Sequence, residues 1–198
     1  MEIYNILGTA GFLLSTIVLV MLSLFFVQYS ISIEISPFFI LIVPLFVAGI
    51  MLRGVAWMEF GKAAMKRFYF ITGGAVIILG VLMVYAFSGL LQYAVNIPSL
   101  SNLAHIINVI AILALWLAYS TMEFLSLKRI FKDGFLRLST FNILGAVLVV
   151  ISLLYLDNYT VYILAAAFAV CAIGTFLAAI GFLSLETTKR KSVFRTLY

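Results

Sequence analysis

The sequence predicts an all-α membrane protein, a polytopic transmembrane bundle of six helices that forms a single domain over residues 1–198. Composition is the first observation behind this prediction, because 66% of the residues are hydrophobic, only 10% are charged, and the mean hydropathy is +1.26. Soluble domains carry roughly 45–50% apolar and about 25% charged residues. The second observation is a series of apolar runs long enough to cross a bilayer, and the third is the placement of the basic residues.

Six apolar runs reach the length of about 20 residues that a membrane-spanning helix needs. They lie at residues 5–28, 38–58, 68–92, 103–125, 137–156 and 160–184. None of them shows the alternation of an outer-membrane barrel strand, and a helix in lipid pairs its own backbone groups. The runs therefore predict helices.

Several runs carry features that predict how the helix begins, bends or packs. The first run has no positive charge before it and no small-residue cleavage site after it, so we expect a retained helix and not a signal peptide. Pro44 predicts a kink in the middle of the second run. Phe68-Tyr69-Phe70 opens the third and predicts an aromatic belt at the membrane boundary.

The sixth run contains small residues at every fourth position, which lie on one face of a helix and allow another helix to approach closely. This helix-packing stripe consists of Ala167, Cys171, Thr175 and Ala179. We expect it to pack within the chain or between chains, in preference to lining a substrate path. Cys171 is the only cysteine, so the sequence predicts no disulfide within the chain.

The basic residues lie on one side of the predicted membrane. The twelve are Arg53, Lys62, Lys66, Arg67, Lys128, Arg129, Lys132, Arg137, Lys189, Arg190, Lys191 and Arg195. The opposite loops carry only Glu34 and Asp157. Because short loops rich in Lys and Arg stay cytoplasmic, we expect a multi-pass protein of the cytoplasmic (cell) membrane with both termini inside and residues 187–198 as a basic cytoplasmic tail. Orientation and attraction to lipid headgroups account for the net charge of +5, so the expected partners are membrane lipids and not nucleic acid.

Two short patterns recur and predict three parallel two-helix hairpin repeats. The repeats would cover residues 1–60, 61–124 and 125–186. The first run opens with Asn5-Ile6-Leu7-Gly8, and Asn142-Ile143-Leu144-Gly145 recurs in the fifth. The even-numbered runs end alike, in Met58-Glu59-Phe60, Met122-Glu123-Phe124 and Leu185-Glu186. Chance is the alternative, since Ile, Leu and Gly are abundant throughout the chain.

The three glutamates Glu59, Glu123 and Glu186 are candidate inner-face carboxylates. A solvated interface with local ion pairs is the first interpretation, because basic residues follow each of them. The alternative is a ring of three carboxylates at the inner mouth of a threefold bundle, which would bind a cation or gate a pore. Arg53 is the one charge inside a predicted span, and we expect it to snorkel to the headgroups in preference to forming a buried functional pair.

His105 and Asn108 form a candidate polar cavity near the outer face, since they lie on one side of the fourth predicted helix. Hydrogen bonding between helices is the alternative. His105 is the only histidine, so a haem would need a methionine as its second ligand, and the outer half lacks ligands for a metal cluster. No cofactor and no metal site is predicted.

Catalysis has little support in the residue types present. Asp133 and Asp157 lie in loops on opposite faces, so they cannot form an intramembrane aspartyl pair. The sequence around His105 has no motif for an activated serine, and phosphate-binding glycine motifs are missing. The sequence therefore predicts a protein that is not an enzyme.

The second half of the chain contains Trp116 and Tyr119, then residues 141–148 (FNILGAVL) and residues 179–185 (AIGFLSL). With these features, residues 103–186 resemble a family of uncharacterised multi-span membrane proteins found in archaea and some bacteria. This resemblance implies a small helical membrane protein in a prokaryotic, archaeal cytoplasmic membrane, and it implies no catalytic residue.

Two functions agree best with these observations. The first is a non-catalytic structural or accessory subunit, a scaffold that associates through its helices into a homo-oligomer or a larger membrane complex. The alternative is a small-solute-binding or transport component, because six spans in about 200 residues is also the layout of substrate-capturing subunits of vitamin importers. That alternative predicts a cavity lined by His105, Asn108 and aromatic side chains.

Overall fold

A computed structural model describes residues 2–31, 41–96, 103–154 and 160–185, and this part of the chain is helical apart from short connections. The helices are α1 (Ile3–Ile31), α2 (Ile42–Ala63), α3 (Arg67–Asn96), α4 (Leu103–Ile130), α5 (Gly134–Arg137), α6 (Phe141–Leu154) and α7 (Thr160–Leu183). A 3₁₀ turn, Leu138–Thr140, joins α5 to α6. The predicted helical class is confirmed.

Four stretches of described helix are long and apolar enough to cross a membrane. They are Ile3–Gln28, Ile42–Ala63, Gly134–Ser152 and Thr160–Leu183. A shorter apolar stretch, Arg67–Leu82, begins α3. These helices are compatible with an integral membrane protein, whereas the full set of six spans and the sides on which the termini lie stay predictions.

The start of α2 differs from the prediction made for Pro44. The helix begins at Ile42, so the proline lies in its first turn and not in the middle of a span. The first four N–H groups of a helix have no intrahelical partner, and the missing N–H of a proline therefore costs little there. The predicted mid-span kink is wrong for this reason.

The connection between α2 and α3 is a tight turn that reverses the chain. Met65 has a φ of 55°, in the left-handed region, and its N–H donates to the carbonyl of Lys62 at 3.2 Å. The N–H of Lys66 donates to the carbonyl of Gly61 at 3.0 Å. This pair of bonds is the Schellman arrangement that ends many helices, with a methionine at the position usually held by glycine.

The helices form a closed ring around a shared interior. Each of α1, α2 and α3 packs on the next helix in the chain, α4 packs on α6, α6 packs on α7, and α7 packs on α1. Large side chains from different helices fill the interior with no exposure to solvent, among them Phe12, Trp57, Phe124 and Phe182. Helix α3 packs between α2 and α4, so side chains of α2 and α4 that contact each other do so across the interior of the ring.

Small residues allow the neighbouring helices to approach each other closely. A Cβ atom added at Gly11 would lie 2.7 Å from the backbone nitrogen of Arg53, and one added at Gly73 would collide with the carbonyl of Gly54. At the α6–α7 crossing, a Cβ on Gly145 would lie 2.5 Å from the Cys171 sulfur. Membrane helices associate through van der Waals contact of this kind, because lipid supplies no hydrophobic driving force between them.

Candidate functional site

A buried pair of opposite charges lies in the interior of the bundle. Arg53 of α2 and Glu123 of α4 have side chains that are 1% and 0% exposed, and the Arg53 Nη1 atom lies 3.3 Å from Glu123 Oε2. The other ion pair in the described part of the chain joins Lys62 and Glu59 at the surface. Burying two charges is costly unless they pair, so the fold has to keep Arg53 and Glu123 together.

The sequence spacing on both helices fits this pairing. Arg53 and Trp57 are four residues apart on α2, and Tyr119 and Glu123 are four apart on α4, so each pair lies on one helix face. Arg53 Nη2 donates to the Tyr119 hydroxyl at 2.9 Å, and Trp57 Nε1 donates to Glu123 Oε1 at 3.1 Å. These four residues form the buried polar cluster.

An aromatic side chain from a third helix completes the surroundings of the guanidinium group. The Arg53 Cζ atom lies 5.2 Å from the centroid of the Phe12 ring on α1 and 5.4 Å from that of Tyr119. A guanidinium group over an aromatic face gains electrostatic attraction, most of all where water is excluded. Side chains of α1, α2 and α4 therefore surround the buried guanidinium group of Arg53.

The cluster leaves hydrogen-bonding capacity unused. Arg53 Nε has no hydrogen-bond partner among the described residues. Glu123 Oε2 lies within ion-pair distance of Arg53, but no described donor reaches it with hydrogen-bond geometry. A guanidinium offers five N–H donors and a carboxylate accepts about four bonds. The pair thus contains one donor atom and one acceptor atom that form no hydrogen bond in the described part of the chain.

The position of the cluster along the helix places it inside the bundle. Arg53 precedes the end of α2 at Ala63 by about 15 Å of helix, at a rise of about 1.5 Å per residue. The expectation that Arg53 snorkels to the headgroups is therefore wrong. Its side chain instead turns toward the interior, because ring closure brings Tyr119 and Glu123 within its reach.

The three predicted carboxylates do not share one environment in the part of the chain described. Glu59 is 33% exposed and accepts a bond from Lys62 Nζ at 2.6 Å, as a local surface ion pair. Glu123 is fully buried, and Glu186 lies outside the described residues. Glu59 and Glu123 are equivalent positions of the predicted repeat, so their different surroundings do not favour a carboxylate ring.

The predicted polar cavity lies at the start of α4. The backbone of His105 and Asn108 is helical, and their side chains lie outside the described part of the structure. Their role in a cavity therefore stays a prediction.

The helix-packing stripe is occupied within the chain. All four of its residues are buried. Asn142 of α6 donates from Nδ2 to the Cys171 carbonyl at 3.0 Å, and Thr16 of α1 donates to the Thr175 hydroxyl at 2.9 Å. Association with a second chain therefore has to use another face of the bundle.

The two recurring asparagines have a structural role. Asn5 Nδ2 donates to the carbonyls of Phe182 at 2.7 Å and Leu185 at 2.9 Å, at the end of α7. Asn142 bonds further along the same helix, at Cys171. Asn5 thereby links α1 to α7, and Asn142 links α6 to α7.

Trp57, Tyr119 and Phe12 belong to the site but not to the residues predicted for it from the sequence. A signal was present, because Arg53 with Trp57 and Tyr119 with Glu123 repeat the same four-residue spacing on two helices. Neither spacing indicates which helix faces lie opposite each other, and that information comes from the ring.

The described residues contain no group of three or more potential metal ligands. No protein-family model, no curated protein and no solved structure matches this chain. The fold and the buried cluster together define a helical bundle with membrane-spanning character and an ion pair in its interior.

Proposed function

We propose that this chain is a non-catalytic integral membrane protein that binds or transports a small polar solute at the buried polar cluster. The observation that carries the proposal is the fully buried and incompletely hydrogen-bonded pair of Arg53 and Glu123. Charged groups inside membrane-spanning bundles are costly, and they commonly mark a binding site or an ion pathway. A solute that accepts a hydrogen bond from Arg53 Nε and donates one to Glu123 Oε2 would satisfy both atoms.

Six spans with both termini in the cytoplasm form the frame of this proposal, and membrane lipids surround it. Support comes from the four apolar helices and from the basic residues of the α2–α3 and α4–α5 connections, which lie at one end of the bundle. Large apolar side chains on the outer face of the described helices suit contact with lipid, among them Ile6, Ile78, Ile173 and Phe176. We propose the cytoplasmic membrane of a prokaryotic cell as its location.

The test is native mass spectrometry of the protein extracted gently from its own membrane. Wild type is compared with Glu123→Gln, which removes the charge and keeps the shape of the side chain. Glu59→Gln is the matched control, because it removes a surface carboxylate from an equivalent position of the sequence repeat. The proposal predicts a small added mass on wild type and on Glu59→Gln that is absent from Glu123→Gln.

Two results would overturn solute binding at the cluster. One is a wild-type monomer with no added mass whose thermal midpoint no member of a panel of small organic acids, amino acids and sugars raises. The other is an added mass that Glu123→Gln retains in full, which would place the ligand elsewhere.

The scaffold or accessory subunit is the second candidate function, and the extent of the exposed apolar surface favours it. The residues named on that surface face lipid in a monomer but would be covered by a partner in a homo-oligomer or a larger membrane complex. The same mass measurement separates the two candidates, because a scaffold would appear as whole multiples of the subunit or together with an unrelated chain.

A further inference from the structure

One corner of the bundle combines unpaired positive charge with an exposed aromatic ring. At the start of α3, Lys66, Arg67 and Phe68 are exposed, and Arg129 from the end of α4 places its Cζ atom 5.1 Å from the Phe68 ring centroid. We call these four residues the basic–aromatic edge. Its two helices pack against each other, so the edge is a fixed surface and not a flexible tail.

The charge of this edge is not neutralised by the protein that the structure describes. Seven of the described basic residues lie at this end of the bundle, against three acidic ones, Glu2, Glu59 and Asp133, a difference of four positive charges. Glu59 pairs with Lys62, and Asp133 accepts a bond from the backbone N–H of Phe135. Among the described residues, Lys66, Arg67 and Arg129 have no carboxylate within ion-pair distance.

The surroundings of the edge indicate the level of a lipid headgroup. Within the next turn of α3, Phe70 and Ile71 expose apolar side chains, as helices do where they enter hydrocarbon. Met65, in the turn before α3, has a backbone conformation that favours glycine. Its apolar side chain is 75% exposed and lies on the same outer surface. Aromatic and basic side chains at this depth are typical of the membrane–water interface.

We propose that the basic–aromatic edge binds the headgroup of an anionic phospholipid, with its phosphate held by Lys66, Arg67 and Arg129 and its upper acyl chain against Phe68. Charge complementarity selects this occupant, because the edge offers three cations next to the exposed apolar side chains of Phe68, Phe70 and Ile71. The proposal is independent of the buried polar cluster, which lies inside the ring.

The test counts lipids retained by the full-length protein in native mass spectra after exchange into phosphatidylglycerol or phosphatidylcholine. The edge variant is Lys66→Gln/Arg67→Gln/Arg129→Gln. A matched control, Lys62→Gln/Lys128→Gln/Lys132→Gln, removes the same number of charges from the same end of the bundle. We expect wild type and the control to retain phosphatidylglycerol in preference, and each edge charge that is lost to lower this retention about fivefold.

Three outcomes would overturn the proposal. Equal retention of the two lipids would show that the headgroup charge is not recognised. Equal losses in the edge variant and the control would indicate diffuse attraction to the whole end of the bundle. Displacement of phosphatidylglycerol by inorganic phosphate would identify a site for the free anion. The three single edge variants provide the same comparison in smaller steps if the triple variant does not fold.

Discussion

Arg53 and Glu123 stabilise the bundle only as a pair, and each is costly without the other. The interior around them is formed by Phe12, Trp57 and Tyr119, which supply one hydrogen bond to each charge and two aromatic faces. Removing one partner of a buried pair leaves an uncompensated charge, whereas replacing both with apolar or neutral groups is often close to neutral for stability. The cluster therefore makes a prediction about stability that is separate from its proposed function.

We predict that Arg53→Met and Glu123→Gln each lower the free energy of unfolding by about 3–5 kcal/mol, and that the double variant recovers most of this loss. Denaturant unfolding of the protein in detergent measures all three values. Lys62→Met and Glu59→Gln form the control cycle at the exposed pair, where the coupling is expected to be small. Additive losses at positions 53 and 123 would contradict the prediction, because they would mean that the two charges do not interact.

A double variant that is stable but has lost the small added mass would assign the pair to function. Polar residues retained in an apolar interior at a cost to stability are commonly kept for a site or for specificity of packing. A double variant that keeps its ligand would instead assign the pair to the register of α2 against α4. The same proteins therefore distinguish a functional cluster from a structural one.

At the scale of the element, helix crossings depend on residues that lack a side chain. Gly73 and Gly74 are neighbours on α3 with opposite surroundings, because a Cβ at Gly73 would collide with the backbone of Gly54, whereas one at Gly74 meets nothing within 4 Å. The α2–α3 crossing is backbone against backbone at this point, so neither helix can relax by changing a rotamer.

We predict that Gly73→Ala lowers the free energy of unfolding by about 1–3 kcal/mol, the usual cost of overpacking. Gly74→Ala is its matched control, and we expect it to be neutral or to stabilise the protein by up to about 1 kcal/mol, since alanine has the higher helix propensity. Unfolding in detergent, followed by the loss of helical circular dichroism, measures both variants. Equal effects at the two positions would show that this crossing is not close.

The apolar runs predicted the elements better than they predicted the site. The bounds of α1 and α7 lie close to the predicted 5–28 and 160–184, because length and hydropathy alone define such helices. The fifth run, 137–156, begins at the last residue of α5 and includes the 3₁₀ turn and α6. The short helix α5 lies before it and is capped by Asp133, which accepts a bond from the N–H of Phe135. Hydropathy does not reveal this capping interaction, because it depends on the turn between α4 and α6.

The buried polar cluster could not be located from sequence alone for a physical reason. Arg53 is a charge inside a predicted span, and no local feature of the sequence decides whether its long side chain extends along the helix toward the headgroups or turns into the interior. The direction it takes depends on Tyr119 and Glu123, whose position is fixed by packing of α3 and α4 in the ring. The sequence shows that Arg53 is a charge within an apolar run, but only the arrangement of the whole bundle determines what surrounds its side chain.

At the scale of the whole molecule, the α2–α3 and α4–α5 connections and the helix ends next to them carry most of the described basic residues and lie at the same end of the bundle. Helices α2 and α4 both end there, and α1 begins there, since Asn5 bonds to the end of α7. The buried position of Cys171, with no exposure to solvent, makes the wild-type protein a suitable background for introduced cysteines. Orientation in the cell is therefore open to direct measurement by labelling from one side.

We predict that Lys66→Cys and Lys132→Cys react with a membrane-impermeant maleimide only after the cells are permeabilised, because short loops rich in Lys and Arg stay cytoplasmic. Asp157→Cys, in the loop predicted on the opposite side, should be labelled in intact cells. The wild-type chain is the control for background reaction at Cys171. Labelling of Lys66→Cys in intact cells together with protection of Asp157→Cys would invert the topology. Labelling of all three from one side would mean that fewer helices cross the membrane than the six apolar runs predict.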